Sequence, residues 1–175
     1  MQNQKNLNYW LLQIKPADFR LLKALKVNEL KVYPVKLLKT NIKKGDKIII
    51  WKSGKNAGCY ALATAASEAG EWPYPKSELP FFKKHPSIKS NVRLKINLNL
   101  WDKPLQKEHF SETKLFDRFA EELPGINYKV SERHYTFMSE RAKENLLEIK
   151  KQKVFLPYHK TTDHPLSNRI SISKY

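Results

Sequence analysis

The stretch Gly45–Ser67, reading GDKIIIWKSGKNAGCYALATAAS, constrains this chain more than any other. Gly45-Asp46 is a turn signal. Ile48-Ile49-Ile50-Trp51 is a short apolar run rich in β-branched residues, which reads as a buried strand. A polar loop bounded by glycine, Lys52 to Gly58, separates it from a second apolar run, Cys59 to Ala66. Two such runs joined in this way predict a β-hairpin. Its loop is basic, and Trp51 stands at the entrance. A large aromatic beside donors and backbone amides suits a flat ligand with a polar edge.

Composition narrows the class of partner. A chain of 175 residues is the size of one domain, and 41% hydrophobic residues with 4 Trp are enough for a core. Lys and Arg number 33 against 17 Asp and Glu, a formal charge of +16. Such an excess points to a polyanion, nucleic acid before anionic membrane, because no basic amphipathic helix dominates. The single cysteine, Cys59, excludes an internal disulfide and fits a reducing compartment. Its setting in an apolar run is that of a small buried residue rather than a reactive thiol. No apolar run approaches the length of a membrane span, and Met1–Asn6 has no signal-peptide core, so a cytoplasmic protein is expected.

Leu7 to Ile14 reads as a strand buried on both faces. Pro16 suits a first helical turn, with Phe19, Leu22 and Leu25 on one face of a short helix to about Lys26. Glu29 to Leu38 is ambiguous, since Pro34 interrupts any strand there. Glu68 to Pro86 is loop-like, with four prolines, Trp72, Tyr74, Phe81 and Phe82. These aromatics either close over a site or plug one end of a barrel, and Phe81 and Phe82 fit the plug. Val92 to Leu100 alternates cleanly: Val92, Leu94, Ile96, Leu98 and Leu100 inward, Arg93, Lys95, Asn97 and Asn99 outward. Ser111 suits the N-cap of a helix that Pro124-Gly125 ends, and Ser139 the N-cap of a last helix with Ala142, Leu146 and Ile149 inward. Residues 1–150 then form one domain. Residues 151–175 form a basic tail or linker; from Lys150 onward six cations face only Asp163. No internal repeat is present. Strands mixed with short helices favour a small curved mixed sheet, an α+β fold.

Motifs for catalysis are missing. Gly54-Lys55-Asn56-Ala57-Gly58 lacks the glycine spacing, the Lys-Ser/Thr pair and the following helix of a phosphate-binding loop. His85, His109, His134, His159 and His164 are scattered, without metal-ligand spacing. His159, Asp163 and His164 lie close together in the tail, where a solvated stretch explains them better than a metal site. No nucleophile elbow and no acidic cluster for magnesium occurs. The expectation is a binding module, with no enzyme activity, no metal and no cofactor.

Several residues resemble the EVE domain, a relative of the YTH domain in the PUA-like group. These are Ser53-Gly54 and Gly58-Cys59-Tyr60-Ala61 behind Trp51-Lys52. Tyr9-Trp10-Leu11-Leu12-Gln13 is similar to the first strand of that family. Val32-Tyr33-Pro34-Val35 precedes the signal Ile42-Lys43-Lys44-Gly45-Asp46, and Pro124-Gly125-Ile126-Asn127-Tyr128 is similar to a late signature. The resemblance covers roughly residues 7 to 150. It implies a PUA-like pseudo-barrel of about six mixed strands surrounded by short helices.

The resemblance also implies a function, the recognition of a modified base. Such a base is flipped from DNA into an aromatic cage. Tyr33, where relatives carry Trp, would be one wall and Trp72 a second. Trp51 would be a third wall or a packing residue, and core suits it as well as site. Gln13 and Lys15 would face the base edge, with Ser53 and Gly54 at the hairpin mouth. Lys52, Lys55 and Asn56 would hold phosphates or stand as exposed turn residues. Arg93 and Lys95 would join them on the nucleic-acid backbone or form a solvated face. Trp10 fits the core, and Trp101 an edge of the sheet. Similarity to the N-terminal readers of McrB-type modification-dependent restriction systems implies methylated or hydroxymethylated DNA as partner, with an AAA+ motor domain or separate nuclease acting downstream. Two alternatives stand beside this: a reader of modified RNA, and a small metal-dependent nuclease using the tail histidines. Pocket depth and edge chemistry decide which modification is read, and neither is legible in sequence.

Overall fold

Large apolar side chains on both faces of Leu11–Ile14 and Ile48–Trp51 require a sheet covered on both sides. The structure, a computed structural model, describes residues 7–35, 41–86, 90–110 and 127–154. The first strand, β1 (Tyr9–Ile14), runs parallel to β3 (Lys47–Lys52), with Trp10 opposite Ile48. β3 returns antiparallel into β4 (Gly58–Ala65), the expected hairpin. β5 (Asn91–Asn99) pairs with β4 on one side and with β2 (Val32–Pro34) on the other. β6 (Leu105–Gln106) pairs with the start of β4, and β7 (Asn127–Val130) closes the free side of β1. The order is β2-β5-β4-β3-β1-β7, with β6 beside β4. This curled mixed sheet is the expected α+β pseudo-barrel.

Alternation along the strands divides the interior in two. Trp10, Leu12, Ile48, Ile50, Tyr33 and Val92 belong to a cluster closed by Phe19 and by α1 (Leu21–Lys26). Leu11, Ile49, Trp51, Cys59 and Leu62 belong to the opposite face. That face is covered by α2 (Glu132–Val154), which buries Met138 and Ala142 against it. Neighbours in one strand therefore serve different cores.

Four details differ from the expectations. The period of two in β5 hides a change of side. Leu94 and Ile96 join the first cluster and Leu98 and Leu100 the second, with a register irregularity opposite Leu62/Ala63. A bulge of this kind turns one strand onto both cores. The last helix is not short and does not begin at Ser139. It starts at Glu132, and Ser131 is the residue before it, its hydroxyl accepting the His134 N–H at 3.4 Å. It also runs across the boundary expected at residue 150. Pro34 ends β2 rather than excluding it, as a terminal position on an edge strand allows. The helix expected after Ser111 and the tail trio His159, Asp163 and His164 lie outside the described residues.

Gly58 has a structural reason. A Cβ there would lie 2.4 Å from the carbonyl oxygen of Leu105 and 2.8 Å from Cα of Gln106, so the close approach of β6 requires glycine. Cys59 is fully buried, and burial pushes its thiol up to about 12, which suits a packing residue.

Candidate functional site

The end of β1, the start of the following turn and β2 meet at a cavity of about 400 Å³. Gln13 and Lys15 enter from β1 and its end, and Tyr33 and Pro34 from β2. Phe19, Phe82 and Pro86 supply further apolar wall, and Asp18, Lys84 and His85 stand with them. The volume falls within the range of small-ligand pockets.

The aromatic wall is built by contacts distant in sequence. Phe19 meets Tyr33 edge-on, with centroids 5.7 Å apart and planes at 83°. Phe82 packs on Phe19 at 4.7 Å, and Tyr74 on Phe82 at 5.0 Å. Backbone bonds strap the Phe82 segment in place. Arg20 N–H donates to the Phe81 carbonyl at 2.8 Å, and Lys83 N–H to the Asp18 carbonyl at 2.9 Å. The Arg20 guanidinium adds a bond to the Pro80 carbonyl at 2.7 Å. The wall is thus set before any ligand arrives.

Electrostatics keep the tyrosine neutral. Burial pushes the Tyr33 phenol well above its ordinary value, and Asp18 and then Tyr74 add to it. It offers an apolar ring and a neutral hydroxyl. Gln13 is buried, and its amide chemistry both donates and accepts. Lys15 and Lys84 are exposed cations at the rim. The arrangement can hold a planar ring against aromatic carbon and match its edge, with positive charge outside.

Three of the expected base-binding residues, Gln13, Lys15 and Tyr33, line this cavity together. The three expected aromatics do not converge. Trp51 is 2% exposed and lies in the second core cluster, across the sheet from Tyr33. The alternation that puts Ile50 on one face puts Trp51 on the other. Trp72 lines a different cavity, with Val32 and Arg93. Val32 and Tyr33 are adjacent in β2, so their side chains leave on opposite sides. Ser53 works at the hairpin mouth from behind: its N–H donates to the Ile14 carbonyl at 3.1 Å and its hydroxyl to the same oxygen at 3.4 Å. That contact ties the mouth to the end of β1. Gly54 is exposed, with φ 75°, and Asn56 follows with φ 57°.

The basic loop is ordered by its own contacts. Lys52 donates to the Lys55 carbonyl and lies 5.6 Å from the Tyr60 ring centre. Burial lowers the Lys52 ammonium below its ordinary value. Lys55, Arg93 and Lys95 are exposed. Trp10 is core, and Trp101, with the Lys26 ammonium 5.5 Å from its ring centre, stays 37% exposed.

Sequence reasoning missed Phe82, Asp18, Lys84 and His85. Phe82 was placed as a barrel plug; it does pack on the core, and it also forms cavity wall. Its one available signal was the aromatic pair Phe81-Phe82 after Leu79-Pro80, in a loop without apolar period. Among the described residues no group of three or more His, Cys, Asp or Glu could hold a metal ion, and no helix is long and apolar enough to cross a membrane.

Comparison with solved structures shows the same architecture elsewhere. A hypothetical protein from Leishmania major is similar at TM-score 0.53 and 20% identity, over 79% of this chain and 96% of that one. Rpa0253 from Rhodopseudomonas palustris is similar at TM-score 0.54 and 14% identity, over 89% of this chain and 99% of its own. A protein from Pseudomonas putida matches at TM-score 0.54 and 14% identity, over 77% and 99%. No curated protein sequence matches the chain. These likenesses establish the fold, and the sequence carries the family. The EVE domain matches residues 8–120, the span that runs from β1 through β6 and contains both sides of the cavity. With the hairpin, the β1 end and the β2 tyrosine all inside that match, this chain belongs to the EVE domain family.

Proposed function

We propose that this chain binds nucleic acid carrying a modified base and holds that base in the cavity of Gln13, Lys15, Tyr33 and Phe82. The observation that carries the reading is the convergence of Gln13 from β1 and Lys15 just past its end with an aromatic wall from β2 and the Phe82 segment. A base in a duplex cannot reach a recessed cavity, so it must be flipped or single-stranded. Stacking on the wall is worth about 1–3 kcal/mol. Burying a methyl group adds roughly 0.8 kcal/mol, about a fourfold preference before edge contacts count. Gln13 takes the base edge, and Lys15 and Lys84 stand where phosphates would pass.

The partner we favour is DNA with a methylated or hydroxymethylated base. In this reading the chain is the specificity module of a modification-dependent restriction system, with a motor or nuclease on another domain or subunit. It performs no catalysis itself. Lys52, Lys55 and Asn56 contact the backbone outside the cavity. A charge of +16 makes affinity fall steeply with salt.

Matched duplexes carrying plain cytosine, methylated cytosine, hydroxymethylated cytosine or methylated adenine, with RNA counterparts, test the proposal. One modified duplex should bind more tightly than its plain partner, and Tyr33→Ala should abolish the difference. Equal affinity for every duplex would sink the reading of a modified base. A preference found only in the RNA series would transfer the same site to RNA.

A further inference from the structure

We propose that the cavity on the opposite side of β2, built on Trp72 and Arg93, is a second nucleotide site that stacks a base without reading its edge. The inference rests on the chain's being a nucleic-acid binder, and it assigns Trp72 a role separate from the modified-base cavity.

Position comes first. In the β2–β5 pair, Val32 stands opposite Arg93 and Tyr33 opposite Val92. Tyr33 and Val92 serve the first core. Val32 and Arg93 instead line a cavity of about 510 Å³ with Trp72, Pro73 and Pro75. Two cavities thus sit back to back across a short two-stranded ribbon.

Trp72 is held as a platform. Its main-chain N–H donates to Asn91 Oδ1 at 2.9 Å, and Asn91 Nδ2 donates back to the Trp72 carbonyl at 2.8 Å. Asn91 is fully buried, and its backbone pairs with Gly70 in both directions at 2.8 and 2.9 Å. The indole N–H donates to the Glu68 carbonyl at 3.0 Å. Backbone and ring edge are therefore both committed, while the ring remains half-buried at the cavity wall. What such a ring still offers is the face that the Arg93 guanidinium does not cover. Because it is already ordered, a ligand loses little freedom of the protein in using it.

The lining chemistry selects the occupant. Ala66, Val32 and Leu94 contribute only apolar surface and backbone. The two charged residues of the lining, Lys31 and Arg93, are both cations. The Arg93 guanidinium carbon lies 5.7 Å from the Trp72 ring centre, and Lys31 is steadied by Glu29 at 3.0 Å. An indole with one cation over its ring and a second in the same lining, and no side-chain amide or hydroxyl at the floor, matches a flat anionic ligand held by stacking and charge. A nucleotide has that form, and stacking of this kind tolerates any base. The first cavity also has aromatic wall and cations, and it differs in adding Gln13 and Asp18, which can read an edge.

Binding is measured by fluorescence anisotropy with single-stranded and duplex oligonucleotides of one sequence, each plain or methylated. Trp72→Ala should weaken plain and methylated partners alike, by about fivefold to a hundredfold, and leave their ratio unchanged. Trp72→Phe should recover most of the loss. Arg93→Glu, at an exposed side chain, should reproduce it and serves as the second variant if Trp72→Ala lowers the melting temperature. Tyr33→Ala should do the reverse, collapsing the ratio. Two results overturn the second site while leaving the reader intact: undiminished affinity in both Trp72→Ala and Arg93→Glu, or a loss confined to the methylated partner. Failure of the unaltered protein to bind any oligonucleotide overturns both readings.

Discussion

The indole N–H of Trp10 donates to Asp46 Oδ2 at 2.9 Å in the interior. The same carboxylate accepts the N–H of Lys43 at 2.9 Å and, through its other oxygen, that of Asn8 at 3.1 Å. One side chain therefore fastens the start of β1 to the turn that launches β3, where the two strands run parallel and cannot be joined by a hairpin.

Asp46→Ala should destabilise the domain strongly. It strands the buried Trp10 indole N–H and two part-buried main-chain N–H groups around a 3% exposed position, and a buried donor left unpaired costs about 1–3 kcal/mol. Urea unfolding should give a loss of several kcal/mol, with Asp46→Asn, which keeps one acceptor, falling between. A loss under about 1 kcal/mol would mean that water replaces the carboxylate.

Much of this framework was readable in the chain. The apolar runs of β1, β3 and β4 and the alternation of β5 stand out because long strands repeat their burial signal. The site was legible only in part. Gln13, Lys15 and Tyr33 were singled out through their places in a family pattern, the first two at the end of a clear strand. Trp51 was ambiguous because an apolar run buried on both faces does not say which side a given residue takes. Trp72 was joined to Tyr33 because β2 is three residues long, too short for alternation to reveal that Val32 and Tyr33 diverge. Phe82 owes its place to Arg20 and Asp18, some sixty residues away, and no local pattern encodes that contact.

Trp51→Ala separates core from site. The side chain is fully enclosed among Leu11, Ile49 and Cys59 in the second cluster, so its removal should cost about 3–5 kcal/mol. Thermal unfolding should show a large drop, whereas the modified-to-plain binding ratio, measured below the new melting temperature, should be retained. An unchanged melting temperature would contradict the packing described for β3.

Glu78 gives the fold a pH dependence. Its carboxylate accepts the N–H of Val32 at 3.1 Å and that of Lys31 at 3.1 Å, blocking the open edge of β2. Burial raises its pKa from 4.5 to about 7, against the lowering effect of the Val32 and Lys31 bonds. A carboxyl that ionises later in the folded state contributes its stability fully below pH 4.5 and loses it as pH rises through about 7. Stability should therefore fall over that window by on the order of 2 kcal/mol. Glu78→Gln keeps an acceptor for the amides and should flatten the curve, which denaturant titration at several pH values would record. An equal slope in the variant would assign the effect to another group.

The pairing of β7 with β1 carries a consequence for where this domain can be cut. β1 has β3 on one flank and Asn127–Val130 on the other, with Leu11 opposite Tyr128. The segment that matches the family ends at residue 120, before that closing strand. A fragment trimmed to the match would present Tyr9–Leu12 as a naked strand flank and bare the Leu11 side of the sheet where Met138 and Ala142 now sit. Such a flank invites pairing between copies. The smallest unit that keeps both cores covered thus extends into α2, and synthesis must pass Val130 before the first strand acquires its second neighbour.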